Sequence, residues 1–334
     1  MLKVNTLLET IPVKKKKIVK IDFNDKIYGG RLYENEVVRL LEDEFEFDRV
    51  YIMKYKRLLP NLVRAIRLLI KYKYFYRGVL FLTNSTSLFA GRRSRNLIVV
   101  HHLEKNNPAK KNANVRLWFQ NYCDRYFTNH IDKYNQVVAV SRFWYEELKR
   151  MKIDNLELIY NSFNPRDYQC SEEQKKDFRK KYGLVGKPLV YLGSCREGKG
   201  VRQSYESLKN QDIHMVTSGE RHVDLPIPNL HLSYEEYKLL IASSDIVIAM
   251  SQFDEGWNRG VHEASLSGTR VIGTARAGMK ELMELADQTV IESFDDLQDT
   301  VMKNIGMPYS PTEGLLHLDL NYFKKEWRIV LKDI

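Results

Sequence analysis

Short runs of β-branched and aromatic residues recur along this chain, separated by longer amphipathic stretches, and the series starts afresh past residue 170. A strand that returns parallel to its predecessor needs a crossover of a dozen or more residues, usually a helix. The alternation therefore dictates parallel sheets covered by helices. Strands are expected at 18–23 (IVKIDF), 47–51, 78–83 (GVLFLT), 97–101 (LIVVH), 137–141 (VVAVS) and 157–160, with helices over 31–42, 58–73, 113–128 and 142–151. A second series has strands at 189–193 (LVYLG), 213–217, 245–250 (DIVIAM), 270–273 and 289–291, and helices over 199–209, 233–242 and 258–267. The restart places a boundary at 162–170, within the polar stretch 161–175. The expected units are 1–165 and 166–316, followed by a helical segment, 317–334, with apolar Leu320, Phe323, Trp327 and Val330 at helical spacing. Length agrees with two cores: 334 residues exceed the roughly 250–300 at which one hydrophobic core stops growing.

Two such units side by side turn their strand ends, and the helix N-termini that follow, into a shared cleft. A nucleotide diphosphate suits that setting, because backbone N–H groups at a helix start bind anions. Functional side chains should then stand just after strands.

Charge is unevenly placed. The net +10 divides into +14 over residues 1–168 and −4 over 169–334, and residues 51–100 hold 11 basic side chains and no acidic one. An anionic partner for the first half is implied: nucleic acid, a phosphorylated substrate or anionic lipid. No helix-turn-helix, RNP or zinc-finger pattern is present, which disfavours nucleic acid. Three scattered cysteines (Cys123, Cys170, Cys195) give neither a disulfide framework nor a thiolate metal site, and fit a reducing cytoplasm. The segment MLKVNTLLETIPVKKKK lacks the layout of a secretory signal, and no apolar run reaches the roughly 18 residues of a membrane span.

Three strings carry chemistry. Tyr28-Gly29-Gly30-Arg31 follows the first strand, where glycines would let backbone N–H groups approach an anion; a plain connecting turn fits equally. Gly193-Ser194-Cys195-Arg196-Glu197-Gly198-Lys199-Gly200 nearly matches the phosphate-binding G-x-x-x-x-G-K-[ST] loop, but Gly200 replaces the hydroxyl residue that would hold Mg²⁺. What remains is Arg196 and Lys199 at a helix start, two cations able to neutralise a diphosphate, against the plainer reading of solvated side chains on a turn. The third string, Phe253-Asp254-Glu255-Gly256-Trp257-Asn258-Arg259-Gly260-Val261-His262-Glu263-Ala264, has Asn258 as an N-cap, Glu255 before the helix and Glu263 in its second turn. Carboxylates only accept hydrogen bonds, which suits the vicinal diols of a ribose or a sugar ring. A single pair of glutamates in so charged a chain would ordinarily be solvated.

The E-x7-E string, the later Val271-Ile272 after Gly268, and Ala277-Gly278-Met279-Lys280-Glu281-Leu282 resemble the donor-site signature of retaining GT-B glycosyltransferases, in particular glycosyltransferase family four. Gly29-Gly30 falls where that family has its N-terminal glycine loop. Val140-Ser141 and Ile159-Tyr160-Asn161 resemble the strand ends closing its first domain, Gly193…Lys199-Gly200 the loop opening its second, and Phe323…Trp327 the helix that returns to the first domain. The resemblance implies a GT-B fold of two Rossmann-like parallel-sheet domains and transfer of a hexosyl-type sugar from a nucleotide-diphosphate donor to an acceptor hydroxyl with retention. It implies roles for Glu263 on the ribose, Glu255 on the donor sugar, Arg196 and Lys199 on the leaving diphosphate, and Gly29, Gly30, Gly193, Gly256, Trp257 and Asn258 around the donor. A histidine contact to the sugar falls on His101 or His102, with His102 preferred as the catalytic one. No metal or other cofactor is expected. Departures are Ser194 where the family commonly has Arg, Ser162 in place of Gly after Asn161, and Arg270 in place of Pro.

The acceptor is expected on the first domain. Residues 54–77 (KYKRLLPNLVRAIRLLIKYKYFYR) alternate cations with Tyr72, Tyr74, Phe75 and Tyr76 around Leu62, Ile66, Leu69 and Ile70. This is the composition of an interfacial helix on an anionic membrane, and equally of a core helix with a basic outer face. On the first reading the acceptor is a glycan or lipid-linked glycan, and the protein is cytoplasmic and peripheral on a membrane. The competing functions are a basic nucleic-acid-associated protein, a DNA-modifying glycosyltransferase included, and a non-catalytic GT-B-like interaction protein.

Overall fold

A computed structural model of the chain describes residues 15–26, 29–103 and 115–334. The first sheet contains β1 (Lys16–Asp22), β2 (Phe45–Tyr51), β3 (Val79–Thr83), β4 (Arg95–Val100), β5 (Gln136–Ala139) and β6 (Leu156–Leu158), all parallel, in the order β2-β1-β3-β4-β5-β6. Its crossovers carry α1 (Gly29–Leu41), α2 (Leu58–Ile70), α3 (Val115–Asn129) and α4 (Arg142–Arg150). A π-helical turn, Lys71–Phe75, prolongs α2.

After α5 (Glu172–Lys181) the second sheet follows: β7 (Leu189–Ser194), β8 (His214–Ser218), β9 (Asn229–Leu230), β10 (Ile246–Ala249), β11 (Arg270–Gly273) and β12 (Thr289–Val290). It too is wholly parallel, in the order β12-β11-β10-β7-β8-β9, with α6 (Val201–Leu208), α7 (Tyr234–Ser243), α8 (Arg259–Leu266) and α9 (Gly278–Leu285) between its strands. Then α10 (Leu297–Asn304), α11 (Glu313–Leu316) and α12 (Leu320–Asp333) end the series.

The strand-helix alternation thus yields two doubly wound sheets. Helix α5 begins at the end of the polar stretch 161–175 and runs on into residues where hydrophobic periodicity reads no element. Only Phe178 of its side chains is buried; a capping box between Ser171 and Gln174, Glu172 and Glu173 in the first turn and Arg179, Lys180 and Lys181 in the last stabilise it locally. The pattern also passes over α9 and α10, which are eight residues each.

Strand order fixes where a ligand can bind. In the second sheet the chain winds outward from β7 through β8 to β9, then returns to β10 beside β7 and winds the other way. Loops at the C-terminal ends of β7 and β10 therefore part at this switch point and leave a crevice, and β1 and β3 form the matching switch in the first sheet.

Each sheet buries a core on one face, around Leu80, Ile98 and Trp144 in the first domain and around Leu192, Ile248 and Leu297 in the second. A third, larger cluster runs through both, joining Phe81, Val99 and Ile159 to Trp257, Val261 and Met279. Helix α12 completes it from the first domain's side. Asp319 caps its N-terminus by accepting from the amides of Asn321 and Tyr322, and Trp327 Nε1 donates to Tyr33 Oη at 3.2 Å. Arg328 adds a two-pronged ion pair with Glu44.

The domains meet backbone to backbone. A Cβ on Gly256 would lie 1.7 Å from the carbonyl oxygen of His101, and one on Gly278 would lie 1.8 Å from the carbonyl oxygen of Gly256 and 2.6 Å from Ser141 Oγ. Only glycine permits that approach. Glu281 of α9 then reaches the open N-terminus of α4, where its carboxylate accepts from the Arg142 amide at 2.7 Å and from the Tyr160 hydroxyl. Gly256→Ala is expected to lower stability by about 1–3 kcal/mol and to raise the radius of gyration in small-angle scattering. Gly29→Ala, where the nearest atom would be 3.6 Å away, is expected to leave both near wild type; equal melting temperatures for the two variants would refute the close approach.

Candidate functional site

At the second switch point, the strand β7 ends in Ser194 and the chain turns through Cys195 into the 3-10 turn Glu197–Lys199, with Gly200 left-handed at φ 71° before α6. A side chain at 200 would strike the Met250 carbonyl oxygen at 2.5 Å, so glycine is required to bring this loop against the end of β10. Gln252 N donates to Gly198 O at 2.9 Å and ties the two loops together. Lys199 is thereby aimed across the crevice at Glu255, Nζ to Oε1 2.5 Å, and over the Phe253 ring at 5.2 Å. Arg196 is exposed and makes no ion pair among the described residues.

Glu255 is buried, and its Oε1 also accepts from Ser251 Oγ and from Asn258 Nδ2 at 3.1 Å. Its Oε2 accepts no hydrogen bond from the described residues. Asn258 meanwhile caps α8, its Oδ1 accepting from Val261 N at 3.3 Å. One amide side chain thus holds both the carboxylate and the helix start. A cavity of about 330 Å³ lies behind Ser251, lined by Gln252, Thr274, Arg276 and Phe294.

Glu263 lies one helical turn deeper and is 3% exposed. Its Oε1 accepts from Tyr234 Oη at 3.0 Å, Tyr168 Oη at 3.3 Å and Arg259 Nη2 at 3.3 Å. Burial pushes its carboxyl above the ordinary carboxylate range, against the pull of Arg259 and the three tyrosines around it. The Arg259 guanidinium also lies 4.4 Å over the Phe163 ring.

The first domain contributes the opposite wall. Gly29 and Gly30 are the first two residues of α1, so the expected glycine loop is the opening turn of a helix; Tyr28 lies outside the described residues. A Cβ on Gly30 would come 2.8 Å from the His101 ring, and one on Gly29 3.6 Å from Arg259 Cδ. The positive N-terminal ends of α1 and α8 therefore face each other across the crevice. Of the adjacent histidines, His101 turns to α1, with Nε2 3.1 Å from Glu34 Oε1 and its ring edge-on to Tyr33. His102 faces the second domain, 6.4 Å from the Phe253 ring.

Trp257 is a packing element: its indole lies against Tyr160 at 5.0 Å and its Nε1 donates to His262 Nδ1 at 3.2 Å. Sequence reasoning missed the group behind His101. Lys20 and Asp22 of β1 and Arg31 and Glu34 of α1 are all at most 3% exposed and balance in charge. Lys20 pairs with Asp22 and, at 2.6 Å, with Glu34; Arg31 lies 3.4 Å from Asp22. Burial alone would raise the Glu34 carboxyl, yet Lys20 and the His101 hydrogen bond hold it at about 2. For Asp22 the burial prevails and its pKa rises. The signals were a Lys and an Asp inside an otherwise apolar strand and an Arg-Glu pair at i,i+3. Tyr168, Tyr234 and Glu281 reach their partners only through the fold, and Ser251, four residues before Glu255, carries no motif of its own.

No family model matches the chain, and no curated protein matches its sequence. Solved structures do match over nearly the whole length. Anabaena HepE, in complex with UDP and glucose, superposes with a TM-score of 0.73 at 15% identity, covering 96% of this chain and 100% of that one. This is the GT-B fold. Sucrose-phosphate synthase from Thermosynechococcus elongatus matches with a TM-score of 0.72 at 12% identity over 96% of this chain and 99% of its own. WaaG, a glycosyltransferase of lipopolysaccharide biosynthesis, gives 0.63 at 12% over 93% and 95%. Helix α12, packed on α1, is the segment that returns to the first domain in this GT-B chain.

Between the site and the inter-domain core sits His262, fully buried beside Phe163 and Trp257. Burial, reinforced by Arg259, pulls its pKa from 6.5 down to about 3. The unfolded chain therefore takes up a proton that the folded chain refuses. Stability is full above pH 6.5 and falls as pH drops through the window down to 3, by at most about 1.4 kcal/mol per pH unit. Melting curves between pH 7 and 5 should show a steeper loss for the wild type than for His262→Gln, whose side chain can still accept from Trp257; parallel curves would refute the assignment.

Proposed function

We propose that this chain is a retaining glycosyltransferase of the family-four type, moving a hexosyl group from a nucleotide-diphosphate sugar to a hydroxyl of a glycan or lipid-linked glycan. The observation that carries this reading is the Lys199–Glu255 pair, cation and carboxylate held together at the second-sheet switch point with exposed Arg196 beside them. A diphosphate and a sugar need these two charges side by side. UDP is the favoured nucleotide, since the HepE structures hold UDP and UDP-glucose.

In this reading the diphosphate takes Lys199 from Glu255 and recruits Arg196, at the meeting of the α1 and α8 N-termini, where backbone N–H groups add to the positive field. Glu255 Oε2 accepts from donor-sugar hydroxyls, and Ser251 and Asn258 keep the carboxylate oriented. Glu263 accepts the ribose hydroxyls in place of the Tyr168 and Tyr234 phenols. His101, fixed by Glu34, and His102 stand on the sugar's other side.

The bond from the anomeric carbon to the diphosphate oxygen breaks, and the acceptor oxygen bonds to the same face of that carbon. The acceptor's proton passes to the departing phosphate oxygen. No carboxylate forms a glycosyl-enzyme bond; the protein positions the reactants and stabilises the charge that develops on the diphosphate. Lys199 and Arg196 do this without a resident metal. For the acceptor, Trp118 and Tyr122 of α3 offer exposed, stacked rings beside Phe119, which packs on Phe23 at the end of β1. Aromatic faces of this kind meet the C–H groups of sugar rings.

Melting with a panel of nucleotide sugars is the direct test. The true donor should raise the melting temperature by mass action, and Lys199→Ala and Glu255→Ala should abolish the shift and lower transfer by at least about a hundredfold, an effect of order 3 kcal/mol, with the fold retained. A panel with no shift for any donor, or a Lys199→Ala/Glu255→Ala variant with wild-type transfer, would overturn the assignment.

A further inference from the structure

Helix α2 is apolar on two adjoining faces. Its inner face, with Ala65, Leu68 and Leu69, packs with Tyr72 against the first-domain core. Its outer face carries Leu59, Leu62, Ile66 and Ile70 and continues to Tyr74, and all five are 46–70% exposed. Steps of three and four residues put them on one continuous stripe. Leu58, Val63 and Phe75 widen it. A run of large aliphatic side chains in water on one helix marks an interaction surface, since single exposed apolar residues are normal and contiguous stripes are not.

Cations rim this stripe. Lys54, Lys56 and Arg57 stand exposed at its start, and Arg67 and Lys71 along one edge. Gly91 packs against the backbone carbonyls of Tyr72 and Lys73, so exposed Arg92 and Arg93 join the rim at the far end. The sequence has no acidic residue between Asp48 and Glu104 to offset them.

We propose that this surface seats the protein on an anionic lipid bilayer, with the Leu and Ile stripe at the boundary of headgroups and acyl chains and the rim cations on lipid phosphates. Charge complementarity chooses the anionic surface, and the stripe chooses the lipid. A nucleic acid would satisfy the cations but leave the aliphatic side chains wet, because base binding uses aromatic platforms. A bilayer satisfies both, as for amphipathic helices lying in an interface. No helix among the described residues is long and apolar enough to cross a membrane, so the contact is one of docking. The inference stands apart from sugar transfer, since binding to vesicles needs no donor.

The test is flotation of the full chain with vesicles of phosphatidylcholine alone, or with about one third phosphatidylglycerol. Binding is expected only to the anionic vesicles, and to weaken with salt. The double variant Leu62→Glu/Ile66→Glu is expected to lower the bound fraction by roughly tenfold or more at an unchanged melting temperature, because both side chains are already half exposed. No binding to anionic vesicles at low salt overturns the proposal. So does binding that the double variant leaves intact, a preference for a DNA or RNA duplex over vesicles, or a dimer that the double variant dissolves without any vesicle binding.

Discussion

The contact of Gly256 with the carbonyl of His101 governs the rest of this structure. With no Cβ in the way, the loop after β10 lies directly on the end of β4, and Gly278 closes on Gly256 from behind. That contact lets one hydrophobic cluster continue through both domains. It also fixes the crevice: Glu255 precedes the contact residue and His101 is its partner, so the two walls are registered through a single step of backbone. A side chain there would separate the walls before it disturbed either sheet.

Around that contact the protein uses charge in two ways. In the first domain Lys20, Asp22, Arg31 and Glu34 are sealed from water and neutralise one another, which makes a rigid support for His101. Buried pairs of this kind contribute little net stability but fix orientation, because breaking one leaves an uncompensated charge. In the crevice the pairing is looser. Lys199 is part-exposed, Arg196 is open, and Glu255 keeps one oxygen unengaged. The sealed charges suit positioning, and the open ones suit exchange of partners with a ligand.

Glu281 links the sheets by a different device. The N-terminus of α4 has no side-chain cap of its own from Ser141, and a carboxylate from the other domain takes its amide instead. The same carboxylate accepts from Tyr160, whose ring packs at a tilt against Trp257. A helix cap, normally a local matter of three residues, is here an inter-domain tie.

Much of this was legible in the sequence. The two strand-helix series, their parallel order and the place of Glu255, Asn258 and Glu263 around one helix start follow from periodicity and capping chemistry, which act within a few residues. Helix α5 escaped because charge and caps hold it together more than an apolar face does. The glycine pair at 29–30 reads as a loop in the sequence, since glycine is the same signal in a turn and in the first turn of a helix packed against a histidine ring. Leu62, Ile66 and Ile70 carried no sign of which way they face: a helix with a wide apolar arc reads alike whether the outer part of that arc meets a core or water. Which histidine turns to which wall and which carboxylate caps α4 depend on contacts between residues more than sixty positions apart. Local pattern determines the elements and their winding, because those interactions lie within a turn or a strand. Only the tertiary structure decides how the two sheets close on each other, because a backbone contact without a side chain leaves no mark in the sequence beyond a glycine.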